Sequence, residues 1–469
     1  MIRHLTAAAL ACTLALATAL PARSQSTSQG QGDPGIASRE AKARFVRERL
    51  VDAILLMDRH FRVPETGQYL DAIRIGETDH SGLPSSIAAT GIGLVSLAMG
   101  DALGIIPDAE EKAKHTLRNL LSIDETSGFR ALRSRRGWYQ HFVDPRTGEA
   151  MWGSQDKFST IDTALLAAGA AITARYFNAK SYVAGEGESE IFRLTGRVVG
   201  GVRWQSSIKS VERGLIHLIF KGEAEEELTN VFANPFDEYV ILPCIAMRGE
   251  QMAGMAGPAH ETFFRHYARN RDLPMKDYEG VSVISKPNGA FIAHFTHLFA
   301  YYYCNNFNQN GRFRKELREL AQADRKHFAV DGPNNPGTWN PNLWGLGAGA
   351  EVKFFEEGPG KGEVERTGYG VNALEKNPHN TASPAIMAGF APLYGPRSRQ
   401  DPIDDLMRLW ETDTCRYEHQ GLGFLWRCSA RDPSVKVRKV EAVDFSTWIL
   451  GLAGRDKAFG LPFFVNFNL

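Results

Sequence analysis

The chain has 469 residues, and its 54 Lys plus Arg balance 54 Asp plus Glu, so its formal charge is zero. A neutral chain has no global field to gather nucleic acid or a strongly acidic polymer, which excludes partners held by bulk charge. The length suits one large helical domain as well as several small ones.

At the N-terminus, Arg3 and His4 precede an apolar run that ends in small residues near Ala22 and Ser24, the layout of an export signal over residues 1–24. The expected location is therefore the periplasm or the exterior, with a flexible polar leader over 25–38 and the folded chain over 39–469. No later stretch is apolar for 18 uninterrupted residues, so no membrane anchor is expected. Beyond the signal stand Cys244, Cys304, Cys415 and Cys428. The last two flank RYEHQGLGFLWR and are expected to form a disulfide in an oxidising compartment. Cys244 and Cys304 lie in apolar, helix-like surroundings and are expected to be buried free thiols; no cysteine reads as a nucleophile.

Apolar periodicity predicts helices in chain order over Arg39–His60, Pro84–Leu103, Glu110–Leu121, Thr160–Phe177, Glu188–Val199, Val211–Phe220, Phe236–Met247, Glu261–Asn270, Ala290–Tyr303, Arg312–His327, Ser383–Leu393, Asp404–Thr412 and Val443–Ala453. Strand patterns are short and scattered. Helices of this length joined by loops rich in Gly, Asn and aromatics predict an all-α fold of packed hairpins, which an α/α barrel closes without an exposed end.

Several chemistries fail on spacing. In HETFFRH the second His, His266, comes two positions too late for a zincin pair, and His294 and His297 in HFTH have no third ligand nearby. Gly362 stands where a phosphate-binding loop needs Ser or Thr, and no G-x-S-x-G elbow occurs. Neither a metal nor a cofactor is expected. What remains are carboxylates and aromatics. Asp237 and Glu238 open an apolar run after Pro235, where one acid suffices for the positive helix end and the other is left to point elsewhere. Asp162 begins another apolar helix and by itself reads as a helix-end acid. Trp138, Tyr139, His141 and Trp152 gather in a loop-like segment, where rings stack on sugars or simply fill a core.

Together, GWYQHFVDPRTGE and FSTIDTALLAAGAAITARYF resemble the glycoamylase-like domain of bacterial endo-β-1,2-glucanases, glycoside hydrolase family 144 and its relatives. SIAATGIGLVSLAMG, FDEYVIL, FTHLFAYYY and NPHNTASPAIMAGFAPL are similar to further family segments in the expected order, so the resemblance spans nearly all of 39–469. It implies a single (α/α)6 barrel that hydrolyses a neutral glucan by inversion, as a monomer bound to a glucan oligosaccharide or polysaccharide. By motif position it implies Glu238 as general acid, with Asp162 and Asp444 activating water or holding sugar hydroxyls. Trp138, Tyr139, His141, Trp152, Tyr239, His297 and Trp344 become candidate sugar contacts, and Glu351 or Asp79 would be the next acids to consider. The chain departs from the family at Asp237, where Asn is usual, in the loop 247–260, and in AVDFSTWILG, which replaces an Ile-Asp-Gln-Gly segment. Transglycosylation of the same glucan, a polysaccharide lyase using the RSRR run at Arg133–Arg136, and a non-catalytic glycan-binding envelope protein are the alternatives.

Overall fold

The computed structural model describes residues 38–153, 157–222, 226–227, 232–233, 241–252, 254, 257–267, 274–285, 312–331, 340–355, 362–374 and 376–467. Within these, the helices are α1 (Arg39–Leu56), α2 (Ile87–Ala102), α3 (Ala109–Leu120), α4 (Thr160–Val183), α5 (Glu190–Gly200), α6 (Ile241–Met252), α7 (Pro258–Thr262), α8 (Arg312–Asp331), α9 (Pro384–Phe390), α10 (Pro402–Glu411), α11 (Ala442–Arg455) and α12 (Gly460–Phe467). Most starts carry the expected signals. Ser38, Ser86, Ser159 and Ser189 each accept a hydrogen bond from the backbone N–H three residues on, and Asp401 caps α10 ahead of Pro402.

Two kinds of helix alternate along the chain. α2 is buried on every face from Ile87 to Gly100, and α4 and α11 are buried almost as fully. By contrast α3, α5 and α10 bury one stripe only. The sealed helices touch in a series: α11 packs on α2, α2 on α4 and α4 on α6, while α9 packs on α11. Glycines set how close they come. A Cβ at Gly91 would lie 2.4 Å from the Leu165 carbonyl oxygen, one at Gly169 would lie 2.0 Å from the Gly91 oxygen, and one at Gly451 would lie 2.3 Å from the Ala388 oxygen.

The all-α expectation needs amendment. The helices dominate, but the connections form short antiparallel sheets: β1 (Ala72–Arg74), β2 (Ser85–Ser86), β3 (Phe142–Val143), β4 (Lys157–Ser159), β5 (Leu215–His217), β6 (Ile219–Lys221), the hairpin β7 (Ala348–Phe355) and β8 (Gly362–Val371), and β9 (Lys439–Glu441). The helix expected over Val211–Phe220 is in fact β5 and β6. Its apolar run is short and bounded by Gly214 and Gly222, both at positive φ, and periodicity cannot separate such a run from a helix turn. β6 pairs with β4, so this segment flanks the entry to α4. The helix expected over Ala290–Tyr303 lies outside the described residues, as do the signal and leader up to residue 37. α12 was not expected at all.

Cys415 and Cys428 form the expected disulfide, with Cα atoms 5.6 Å apart. Cys244 corrects the reading of a free thiol: it is buried, but disulfide-bonded. No helix among the described residues is long and apolar enough to cross a membrane.

The seam between α2 and α4 gives a paired test. Gly169→Ala is expected to destabilise the fold by about 2 kcal/mol or more, because its methyl group meets backbone that cannot swing away. Gly196→Ala, in α5 with nothing within 4 Å, should stabilise by up to about 1 kcal/mol through helix propensity. Denaturant unfolding of both variants measures the contrast.

Candidate active site

Strand-like connections sew the N-termini of α2, α4 and α11 together. Leu70 bridges Ser85, β2 pairs with β3 and Gln140 bridges Phe158. On the other side β1 pairs with β9, and the Ala442 N–H donates to the Asp71 carbonyl at 2.8 Å. Three helix N-termini, each with donor N–H groups and a positive dipole end, therefore share one mouth.

Two entries to this mouth repeat one device. The Tyr69 N–H donates to Thr90 Oγ1 at 3.2 Å, and the Tyr139 N–H donates to Thr163 Oγ1 at 3.0 Å. Ser86 N–H donates to the Tyr69 carbonyl and Ser159 N–H to the Tyr139 carbonyl. Asp71 and His141 consequently occupy matching places, each two residues beyond its tyrosine. Asp162 and Asp444 also match, each being the third helical residue, after Ser159 and Glu441 respectively.

The polar groups that converge here form a charged cluster. His141 Nδ1 is paired with Asp162 Oδ2. Burial alone would lower the His141 pKa, but the Asp162 charge and hydrogen bond raise it, with help from Asp71. Asp444 is sealed, and burial, then Glu441, push its carboxyl up to about 7 against the pull of Arg427 and a hydrogen bond from Tyr369. Asp71, partly exposed yet crowded by protein, is pushed up to about 7 by burial and then by Glu441, with Lys439 opposing. Burial also raises Glu441, while Lys439 (Nζ to Oε1, 3.4 Å), Arg427 and the Ala350 N–H (2.9 Å) oppose the shift. The fully buried Arg427 donates to Asn372 Oδ1 at 2.7 Å, and Asn372 Nδ2 reaches Glu351 Oε2 at 3.3 Å.

Of the residues expected from sequence, Asp162, Asp444 and His141 meet in this cluster, and Trp152 stands beside it. Trp152 is 50% exposed and carries Lys439 Nζ 5.7 Å from its ring centre. Three expected sugar contacts are corrected. Trp138 is sealed between Trp204 and Phe220 and donates to Ser206 Oγ. Tyr139 is buried, with its hydroxyl reaching the Leu120 carbonyl. Trp344 is buried under Arg325 and donates to Asp405. In each case the ring serves the core, the commoner use of a large aromatic. Glu238, Tyr239 and His297 lie outside the described residues. Of the fallback acids, Glu351 joins the cluster, whereas Asp79 is exposed and accepts from the Ser81 N–H.

Sequence reasoning missed Asp71, Glu441, Arg427, Lys439 and Tyr369. A signal existed for the first: Tyr69-Leu70-Asp71 before SSIAAT parallels Tyr139-Gln140-His141 before STIDT. Tyr369 comes from a strand and Arg427 from the connection between the strands Leu422–Leu425 and Cys428–Ser429, and neither carries a comparable motif.

A sealed carboxyl beside a second one, each holding its proton to about neutral pH, with an ion-paired third nearby, can give and take protons at a bound molecule. The helical scaffold that carries this cluster is similar to that of several solved structures. A glucoamylase-like protein from Bacteroides caccae shares the fold with a TM-score of 0.67 at 14% identity, over 92% of this chain and 96% of that one. An endo-β-1,2-glucanase from Chitinophaga pinensis, solved with sophorotriose and glucose, gives 0.63 at 14% identity over 91% and 95%. A β-1,2-glucanase from Parabacteroides distasonis gives 0.66 at 13% identity, over 90% of this chain and 58% of that one. No family model and no curated protein sequence matches the chain.

The cluster has a pH signature. Because the folded Asp71 and Asp444 keep protons that the unfolded chain releases near pH 4, stability should fall as pH rises from about 4 to about 7. Asp71→Asn removes one of these groups. Its stability relative to the parent is expected to rise steadily across that window and then level off, as read by denaturant midpoints at successive pH values.

Proposed function

We propose that the protein is an exported, monomeric glycoside hydrolase of (α/α)6 architecture that cuts β-1,2-linked glucan internally with inversion at the anomeric carbon. The observation that carries this reading is the convergence of Asp162 and Asp444, at equivalent positions on two inner helices, beside the exposed ring of Trp152. Such a mouth offers carboxyls for proton transfer and an aromatic face for a neutral sugar. The order of sealed and half-buried helices supports closure into six hairpins, and the similar folds of two β-1,2-glucanases support the substrate class.

In the proposed reaction, Glu238 gives its proton to the glycosidic oxygen as the bond from the anomeric carbon breaks. A water attacks that carbon from the opposite face and releases a proton to Asp444. Asp162, fixed by His141, holds sugar hydroxyls. An Asp444 carboxyl balanced near neutrality is suited to accepting this proton, since a base works best with a pKa close to the working pH.

Purified protein should convert linear β-1,2-glucan to short oligosaccharides and leave β-1,3-, β-1,4- and α-linked glucans intact, with the first-formed anomer of inverted configuration by NMR. Cleavage of another linkage alone would overturn the substrate. Unsaturated products would identify a lyase, and unchanged total reducing ends with altered chain lengths a transglycosylase. Glu238→Gln should fold normally and lose at least about a hundredfold in turnover, since the amide cannot donate the proton. Asp444→Asn should lose turnover with little change in KM, and near-parental turnover in either variant would remove that residue from the scheme.

A further inference from the structure

Tyr369 stands in an unusual position. The residue is 55% exposed, yet its hydroxyl donates at 3.2 Å to Oδ2 of Asp444, which is 2% exposed. The ring is thus an outward face directly joined to a sealed acid.

The hairpin that carries Tyr369 is fitted to the cluster through its backbone. Across β7 and β8, Gly349 pairs with Gly370 and Ala350 with Tyr369, and the register shifts between Ala350 and Glu351. A Cβ at Gly349 would lie 2.6 Å from Glu441 Oε2, and one at Gly370 would lie 2.5 Å from Glu351 Oε2. Only glycines let these strands come so close to the acids. The Ala350 N–H then binds Glu441 Oε1, so the residue opposite Tyr369 is anchored to the cap of the helix that bears Asp444. A bulge beside an active site commonly re-aims a side chain, and here it lies next to the pair containing Tyr369.

Resting on the glucanase reading, we infer that Tyr369 is a positioning residue for Asp444 and a stacking face for a neutral pyranose unit bound over that acid. The hydroxyl acts through Asp444 by favouring its ionised form, because a hydrogen bond donated to a carboxylate stabilises the charge. The groups facing Asp444 are Glu441 from the cap of its own helix, Arg427 from the strand connection, Tyr369 from the hairpin and Asp71 from the segment before β1. Glu441 and Asp71 favour the protonated acid, and Arg427 and Tyr369 the ionised one. The ring supplies the second role, since a flat apolar face meets the C–H face of a sugar without needing a charge. Trp152, another exposed ring beside the cluster, is tied to the same acids through Lys439 and Glu441.

The two roles separate by substitution. Tyr369→Phe keeps the ring and removes the donor. It should move the acid limb of the kcat profile upward by about half a pH unit or more and leave KM within about twofold. Tyr369→Leu should move the limb equally and also raise KM about fivefold, the loss expected for one aromatic contact. Tyr369→Trp should recover KM without recovering the limb, which guards against a merely misfolded Leu variant. An unmoved limb in Tyr369→Phe overturns the positioning role, and an unmoved KM in Tyr369→Leu overturns the stacking role. If the parent protein does not cleave β-1,2-glucan, the functional reading fails separately. Carboxyl carbon NMR then still tests the hydroxyl: the Asp444 midpoint should rise in Tyr369→Phe, and an unchanged midpoint overturns the inference.

Discussion

The backbone contact between α2 and α4 at Gly91 and Gly169 is the constraint from which the remaining architecture follows. Helices this close leave no room for a side chain between them, so their relative height and angle are fixed by main chain rather than by adaptable packing. Fixed helices have fixed ends. Because the connecting strands tie the start of α11 to the same place, Asp162 and Asp444 arrive at one mouth from separate parts of the sequence. The Gly451 contact on Ala388 repeats the arrangement between α9 and α11. Small residues in the inner helices therefore act at a distance on the site, although none of them touches it.

At that mouth, desolvation and mutual repulsion compete with helix ends and two cations. The third position of a helix favours an ionised acid, and Arg427 and Lys439 add positive charge. Even so, burial is the largest influence on Asp71, Asp444 and Glu441, and the carboxyls are pushed upward. The cluster is also incompletely hydrogen-bonded: Arg427 Nε and Nη1, Glu441 Oε2 and Asp444 Oδ1 are buried without a hydrogen-bond partner among the described residues. Such groups destabilise an ordinary core, and they are tolerated where chemistry requires a poised charge.

The neighbouring solved folds differ from this chain at most positions and retain the scaffold over nearly its whole length. That outcome is physically reasonable, since inner helices need small or apolar residues at seams rather than particular ones. Chemistry is less permissive. The cluster depends on named carboxyls, on the hairpin glycines that admit them and on Tyr369, so it distinguishes functions that the scaffold alone does not.

The sequence by itself determined most helices, because long amphipathic or wholly apolar runs with Ser caps leave few other solutions. It also set Cys415 and Cys428 close in the chain, as a disulfide needs, and placed Asp162 and Asp444 near the starts of apolar helices. Local pattern did not separate the short run 215–220 from a helix, nor a sugar-facing ring from a core ring. Trp138, Tyr139 and Trp344 were indistinguishable from Trp152 until burial was known. Arg427, Glu441 and Tyr369 became site residues only through tertiary structure: pairing of β1 with β9 brings Glu441 to Asp71 across 370 residues of chain, and Asp444 to Asp71 across 373.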